Sequence, residues 1–276
     1  MNILRNNQEL SYNLRNISFK NISRVHFVDL ENLVAIKPIK DNSYYKEIIQ
    51  VYKKYNEIHI NKNSDIVFIA ANDFIINQLR GYIRDQGLSN QYLCINNGKN
   101  GADEFLLKAV ETFLENNQIL SQHEVYIGSG DGIFINALSE LQERNIANKV
   151  IGTFNRIHRR IYDYADKITY LDFNSNSQYK YDNITIFIMD YLSKFLDYRG
   201  SLNNLLEQNI IEVNKDKTLA NNKQSYFVIL KKKNFLKKNK ADIEKMKPLI
   251  KKLYGLETSI AIKSLHRGTV TDEIYL

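Results

Sequence analysis

The sequence has no tryptophan, two prolines and one cysteine in 276 residues. A lone thiol, Cys94, excludes an internal disulfide and any zinc cluster built from several cysteines. No apolar run approaches the roughly 20 residues that a membrane-spanning helix needs. The opening stretch MNILRNNQELSYNLRN has no apolar core of the kind a secretory signal carries. These absences lead to the expectation of a cytoplasmic globular protein with no membrane role. The five histidines, His26, His59, His123, His158 and His266, show no pattern that pairs them with a nucleophile.

What is present is ordinary in amount and uneven in placement. At 43% hydrophobic and 25% charged, the composition is that of a soluble globular chain. Residues 201–276 carry 15 Lys and Arg against 8 Asp and Glu, whereas residues 1–200 carry 23 of each. The whole net charge of +7 therefore lies in the last quarter of the chain. That asymmetry places a compositional boundary near Gly200. It gives the tail either an anionic partner or a merely solvated lysine-rich face. The densest run is KKKNFLKKNK, with Lys231, Lys232, Lys233, Lys237, Lys238 and Lys240. Phe235 and Leu236 inside it argue for anchoring to a small core.

From residue 24 onward, short runs rich in Val, Ile, Phe and Tyr alternate with helical patterns. The runs fall at 25–30, 66–71, 92–95, 125–127, 149–154 and 167–173. Several are apolar on both faces, as strands covered by helices on both sides must be. Between them, helices are expected at 44–55, 73–85, 102–115 and 133–144. In the third, Phe105, Leu106, Ala109, Val110, Phe113 and Leu114 form one helical stripe. Strands alternating with helices imply parallel βαβ units, hence an α/β class domain with an open parallel, Rossmann-like three-layer sheet. Residues 22–175 make up this domain in the sequence reading. Residues 176–200 form a helix, at about 184–196, that packs back on the sheet and then a linker. Residues 201–276 form a small basic α+β region, with strands at 225–230 and 258–263 and a helix at 242–253.

Side chains that meet a ligand on an open parallel sheet sit at the carboxyl ends of its strands. Three such places carry acids. VHFVDLENL ends the first run in Asp29, followed by Glu31 and Asn32; Asp and Asn are also ordinary helix caps. NNGKNGADEFLLKA leads through Lys99 to Asp103 and Glu104 at the start of a helix, where acids are favoured in any case. VYIGSGDGIF ends a strand in Gly-Ser-Gly and then Asp131, and its glycines permit a tight turn that exposes the carboxylate. If the three acids converge, they repel one another unless protons or a cation neutralise them. Oxygen donors without Cys or His suit Mg²⁺ or Mn²⁺, and such a centre supports phosphodiester hydrolysis.

VDLEN, GADEFL and GSGDGIF, followed by Val150 and ADKITYLDF, resemble the successive motifs of NYN domains over roughly residues 22–175. The resemblance implies a PIN-like sheet and a metal-dependent ribonuclease. It assigns metal binding and catalysis to Asp29, Asp103 and Asp131, with support from Asn32, Lys99 and Ser129. One position departs from the pattern: Ile133 stands where many relatives have a second acid. Asp73 or Glu31 is the candidate for the missing oxygen. A catalytically weakened or inactive RNA-binding protein of the same fold is the alternative, and divalent-metal dependence of cleavage separates the two. GSGDGI also looks like a dinucleotide fingerprint, but it lacks the third glycine and the required first βαβ setting.

Overall fold

In the computed structural model, the larger sheet is built from seven strands that pair only in parallel. The structure describes residues 2–4, 9, 12–13, 16–17, 19, 21–33, 42–85, 91–95, 101–115, 118–171, 181–196, 198–216 and 224–276. These fall into two compact units, Met1–Leu171 and Asp172–Leu276.

The first unit holds strands β1 (Asn2–Leu4), β2 (Arg24–Asp29), β3 (Asp65–Ala71), β4 (Gln91–Ile95), β5 (Glu124–Gly128), β6 (Ala147–Gly152) and β7 (Lys167–Tyr170). Their order across the sheet is β1-β4-β3-β2-β5-β6-β7. Helices α1 (Asn42–His59), α2 (Asp73–Asp85), α3 (Gly101–Glu115), α4 (Ile135–Glu143) and α5 (Ile161–Tyr164) alternate with them. This is the α/β three-layer architecture read from the sequence.

The two-residue period of the strands explains the layering. Phe27 and Phe68 stack on each other, with ring centroids 5.5 Å apart, and both meet Phe113 of α3 edge-on. The alternate residues Val28, Val67 and Ile69 belong instead to the core shared with Ile48, Tyr52 and Tyr55 of α1 and Ile75, Ile76 and Leu79 of α2. Both faces of β3 are thus covered and all seven of its residues are buried, as a central parallel strand requires.

Beneath the N-terminal ends of the strands lies a buried polar network. Arg24 and Asp65 are register partners on β2 and β3. Asp65 accepts from Arg24 Nε at 3.0 Å and lies 2.8 Å from its Nη2, and it bonds His26 Nε2 at 3.1 Å. His26 Nδ1 in turn bonds the Tyr55 hydroxyl at 3.0 Å.

The second unit contains α6 (Asn183–Phe195), α7 (Leu202–Glu207), β8 (Ile211–Lys215), β9 (Gln224–Leu230), α8 (Phe235–Glu244), α9 (Met246–Tyr254), β10 (Thr258–His266) and β11 (Thr269–Tyr275). Its sheet runs β11-β10-β9-β8. β9 and β10 are parallel, joined by the α8–α9 crossover, and the outer pairs are antiparallel. The first unit ends at Leu171, and the compositional shift near Gly200 falls within the second: lysine content tracks the surface, whereas the core of this unit begins with α6. That helix is buried over Ile184–Ser193 and packs against β8 and α9. The single helix expected at 242–253 is two helices. Pro248 has no N–H for the carbonyl of Glu244, and the break falls at Lys245.

Among the described residues, no helix is long and apolar enough to cross a membrane.

Candidate active site

The strand order fixes where a ligand would meet the first unit. The chain winds outward from β2 through β3 to β4 on one side and from β5 through β6 to β7 on the other. The reversal lies between β2 and β5, and the crevice outside the carboxyl ends of those two strands is the usual binding place in such sheets. Asp29 is the last residue of β2, and Ser129-Gly130-Asp131 follow the last residue of β5. Helix α3 crosses β3 and β2 on its way from β4 to β5, which carries Asp103, in its first turn, over the end of β2.

These placements bring the carboxyl groups of Asp29 and Asp103 into a direct hydrogen bond, which requires one of the two to be protonated. Asp29 is 3% exposed. Burial is the main force pushing its carboxyl well above the usual carboxylate range. The bond to Asp103, the charge of Asp103 and the charge of Glu31 add to it, against an opposing backbone N–H from Asn32. Asp103 is also raised: burial comes first, the bond from Asp29 lowers it, and the charges of Asp131, Glu31 and Glu104 raise it. Oδ1 of Asp103 is buried and accepts from no N–H or hydroxyl among the described residues. Four of the expected residues thus share one electrostatic field.

The surrounding bonds hold these groups in place. Asp29 Oδ1 accepts from the N–H groups of Glu31 (3.1 Å) and Asn32 (3.3 Å). Asn32 Oδ1 accepts from Gly130 N at 3.1 Å, tying the loop after β2 to the loop after β5. Buried Ser129 turns its hydroxyl to Asp131 N, 3.2 Å away. Asp131 Oδ1 caps the short 3₁₀ turn Gly132–Phe134 by accepting from Ile133 N at 3.0 Å. Gly130 is required by contact: a Cβ there would lie 2.3 Å from the carbonyl oxygen of Arg156. Glu31 Oε1 accepts from the backbone and side-chain N–H groups of Asn72, at 3.2 and 3.0 Å.

Of the two candidates for the missing oxygen, Glu31 acts on both Asp29 and Asp103. Asp73 is exposed at the start of α2 and accepts from Asn77 at 3.1 Å; it is not among the charges acting on the pair. Lys99 lies outside the described residues. Among the described residues, no three His, Cys, Asp or Glu side chains are grouped closely enough to hold one metal ion. The preassembled element is the Asp29–Asp103 pair, with Asp131 turned toward its own cap.

In the second unit, Phe235 and Leu236 are buried, whereas Lys231, Lys232, Lys233, Lys237, Lys238 and Lys240 are exposed. Lys240 pairs with Glu244. The other five are in no ion pair among the described residues.

Sequence reading missed the loop after β6. Thr153–Arg160 packs on the Gly130 turn: His158 N donates to Gly130 O at 2.7 Å, and the His158 ring would lie 3.1 Å from a Cβ at Gly132. Its signal was legible as three arginines and a histidine in the six residues NRIHRR.

No protein-family model matches the chain, and no curated protein matches it. Among solved structures it is similar to that of a protein of unknown function from Vibrio parahaemolyticus. The identity is 15% and the TM-score 0.38, over 56% of this chain and 97% of that one.

Proposed function

We propose that the chain is a metal-dependent nuclease hydrolysing RNA phosphodiester bonds in the crevice between β2 and β5. The observation that carries the reading is the Asp29–Asp103 carboxyl pair, with Glu31 and Asp131 acting on it. Carboxyl groups held this close need a proton or a cation between them. The donors are hard oxygens, and the buried Asp103 Oδ1, which accepts from no N–H or hydroxyl among the described residues, is one that a cation would satisfy. Mg²⁺ or Mn²⁺ fits that donor set. Asp29 and Asp103 would hold it, and the carboxylates of Asp131 and Glu31, which act on the pair, would add negative charge beside it. When bound, the ion lowers the pKa of a coordinated water and offsets charge on the attacked phosphate.

The chain's own residues do the positioning. The N–H groups of Glu31 and Asn32 aim the Asp29 carboxyl, and Asn32 keeps the two loops at a fixed separation. The choice of RNA rests on the NYN-like order of motifs, and the exposed lysines of the second unit supply phosphate contacts that do not read sequence.

A second reading, a non-catalytic RNA-binding protein of the same fold, is favoured by Ile133 and by the lack of a three-donor group among the described residues. Incubating purified protein with RNA in Mg²⁺, Mn²⁺ or EDTA decides between them. Metal-dependent cleavage that fails in Asp103→Asn supports the nuclease. RNA binding without cleavage in any metal supports the alternative.

A further inference from the structure

The loop Thr153–Arg160 presents two polar donors without partners among the described residues, one beside Asn32 and one over Gly132. Arg156 is half-buried. Its Nε donates to the main-chain oxygen of Asn32 at 3.5 Å, so the guanidinium is held beside the loop that follows Asp29. Among the described residues, its two terminal nitrogens make no hydrogen bond or ion pair. His158 is exposed and lies over Gly132, the residue after Asp131. Its Nδ1 accepts from the N–H of Arg160 at 3.3 Å. An imidazole that accepts at Nδ1 carries its hydrogen on Nε2, so the neutral ring offers a donor at Nε2 with no partner among the described residues. Arg160 adds an exposed positive charge to the same loop.

We propose that Arg156 and His158 form a phosphate-binding pair that holds a single-stranded phosphodiester backbone across the acidic crevice. The chemistry is specific. A guanidinium fixed through Nε leaves a planar fork that suits two phosphate oxygens, and His158 donates to a neighbouring phosphate. The placement answers an electrostatic difficulty of the site. Asp29, Glu31, Asp103 and Asp131 together repel a polyanion, and a cation pinned to the Asn32 carbonyl offsets that repulsion within the loop that bears Asp29. The Gly130 clamp also acquires a role: the close approach that forbids a side chain there is what seats the Arg156 backbone against the Asp131 turn. The proposal rests on the nuclease reading for its substrate, and its test is chosen so that the two fail separately.

The experiment measures binding of a fluorescein-labelled oligoribonucleotide, and of its DNA counterpart, in EDTA over a series of salt concentrations. The proteins are wild type, Arg156→Ala, Arg156→Lys, His158→Ala and Arg156→Ala/His158→Ala, each checked for folding by circular dichroism. Cleavage in Mn²⁺ is followed in parallel. Losing either donor should weaken binding about tenfold, the scale of a hydrogen bond to a charged group, and should raise KM more than it lowers kcat. Arg156→Ala should also flatten the salt slope by about 0.7, the value for one contact to a single strand. Arg156→Lys should keep that slope while losing affinity, because charge remains and the fork does not. His158→Ala should weaken binding through loss of the Nε2–H donor. Unchanged affinity and slope in the folded double variant, with a wild type that binds and cleaves, overturns the phosphate pair and leaves the nuclease reading standing. Binding that weakens as expected, with no cleavage by any protein, supports the pair and overturns the nuclease. A wild type that binds neither oligonucleotide overturns both.

Discussion

The Asp29 carboxyl at the end of β2 is hydrogen-bonded to the Asp103 carboxyl in the first turn of α3, and the two side chains come from positions 74 residues apart. A buried carboxylate beside a second acid is a destabilising arrangement, retained where function needs it. The consequences differ for stability, for turn geometry, for the N-terminal ends of the central strands and for the lysine face.

The raised titration of Asp29 has a definite sign in metal-free protein. A carboxyl whose folded value lies above its ordinary value of 3.8 stabilises the fold fully below that value. The contribution is lost as pH rises through the elevated folded value. Asp29→Asn keeps the acceptor for Glu31 N and Asn32 N and gives Asp103 a permanent donor. It should raise the neutral-pH Tm by on the order of a few degrees and remove this part of the pH dependence. Thermal unfolding of both proteins in EDTA across the acid-to-neutral range checks it; an Asp29→Asn protein that melts lower at neutral pH contradicts the shared-proton pair.

Gly130→Ala tests the turn that carries Asp131. Its methyl group would be driven to within 2.3 Å of the Arg156 oxygen and 2.7 Å of the Ile157 Cα, both backbone atoms that cannot rotate away. A loss of about 1–3 kcal/mol by urea unfolding is expected, together with a larger proportional loss of cleavage than Gly81→Ala, where a Cβ meets nothing within 4 Å.

At the N-terminal ends of the central strands, Asp65 should matter for folding and not for chemistry. Burial alone would raise its pKa, but hydrogen bonds from His26, Arg24 and the Asn61 N–H hold it below the ordinary 3.8. Its stabilisation is therefore present above 3.8 and lost as pH falls through the depressed value, the reverse of Asp29. Asp65→Ala leaves a buried His26 and a part-buried Arg24 without their partner and should cost about 3–5 kcal/mol. Folded Asp65→Ala protein should retain the wild-type kcat; denaturant unfolding and steady-state kinetics read the two effects.

Changing Lys231, Lys232, Lys233, Lys237, Lys238 and Lys240 to Ser should weaken RNA binding regardless of sequence. The salt slope should fall by about 0.7 for each phosphate contact removed. The fold should survive, because Phe235 and Leu236, not the lysines, carry the packing of this segment. An unchanged affinity and slope, measured by fluorescence anisotropy, would leave the run as a solvated face.

The sheet was legible because its strands are apolar on both faces, and the helices because α3 carries an unbroken stripe from Phe105 to Leu114. β1 was not legible: three residues become a strand only by pairing with β4, from Tyr92 to Cys94. β8 and β11 were missed because they lie at sheet edges, where alternating polar residues give a weak signal. The shift in charge near Gly200 does not mark where the second unit begins, because charge reports on surface, while α6 is defined by what it buries. Asp29, Asp103 and Asp131 were legible as acids at strand and helix ends. Which of them touch was not, because the path of α3 over β2 sets that contact. The roles of Arg156 and His158 depend on hydrogen bonds to Asn32 and Arg160 that no spacing encodes.

The central claim is that the Asp29–Asp103 pair exchanges its shared proton for a divalent ion. Isothermal titration of Mn²⁺ into the metal-free protein, in mildly acidic buffers of different ionisation enthalpy, measures metal affinity and proton release together. The account predicts binding with release of a proton, abolished in Asp103→Asn and strongly weakened in Asp29→Asn. Absence of Mn²⁺ binding, or binding with no proton released and no dependence on either aspartate, would contradict it.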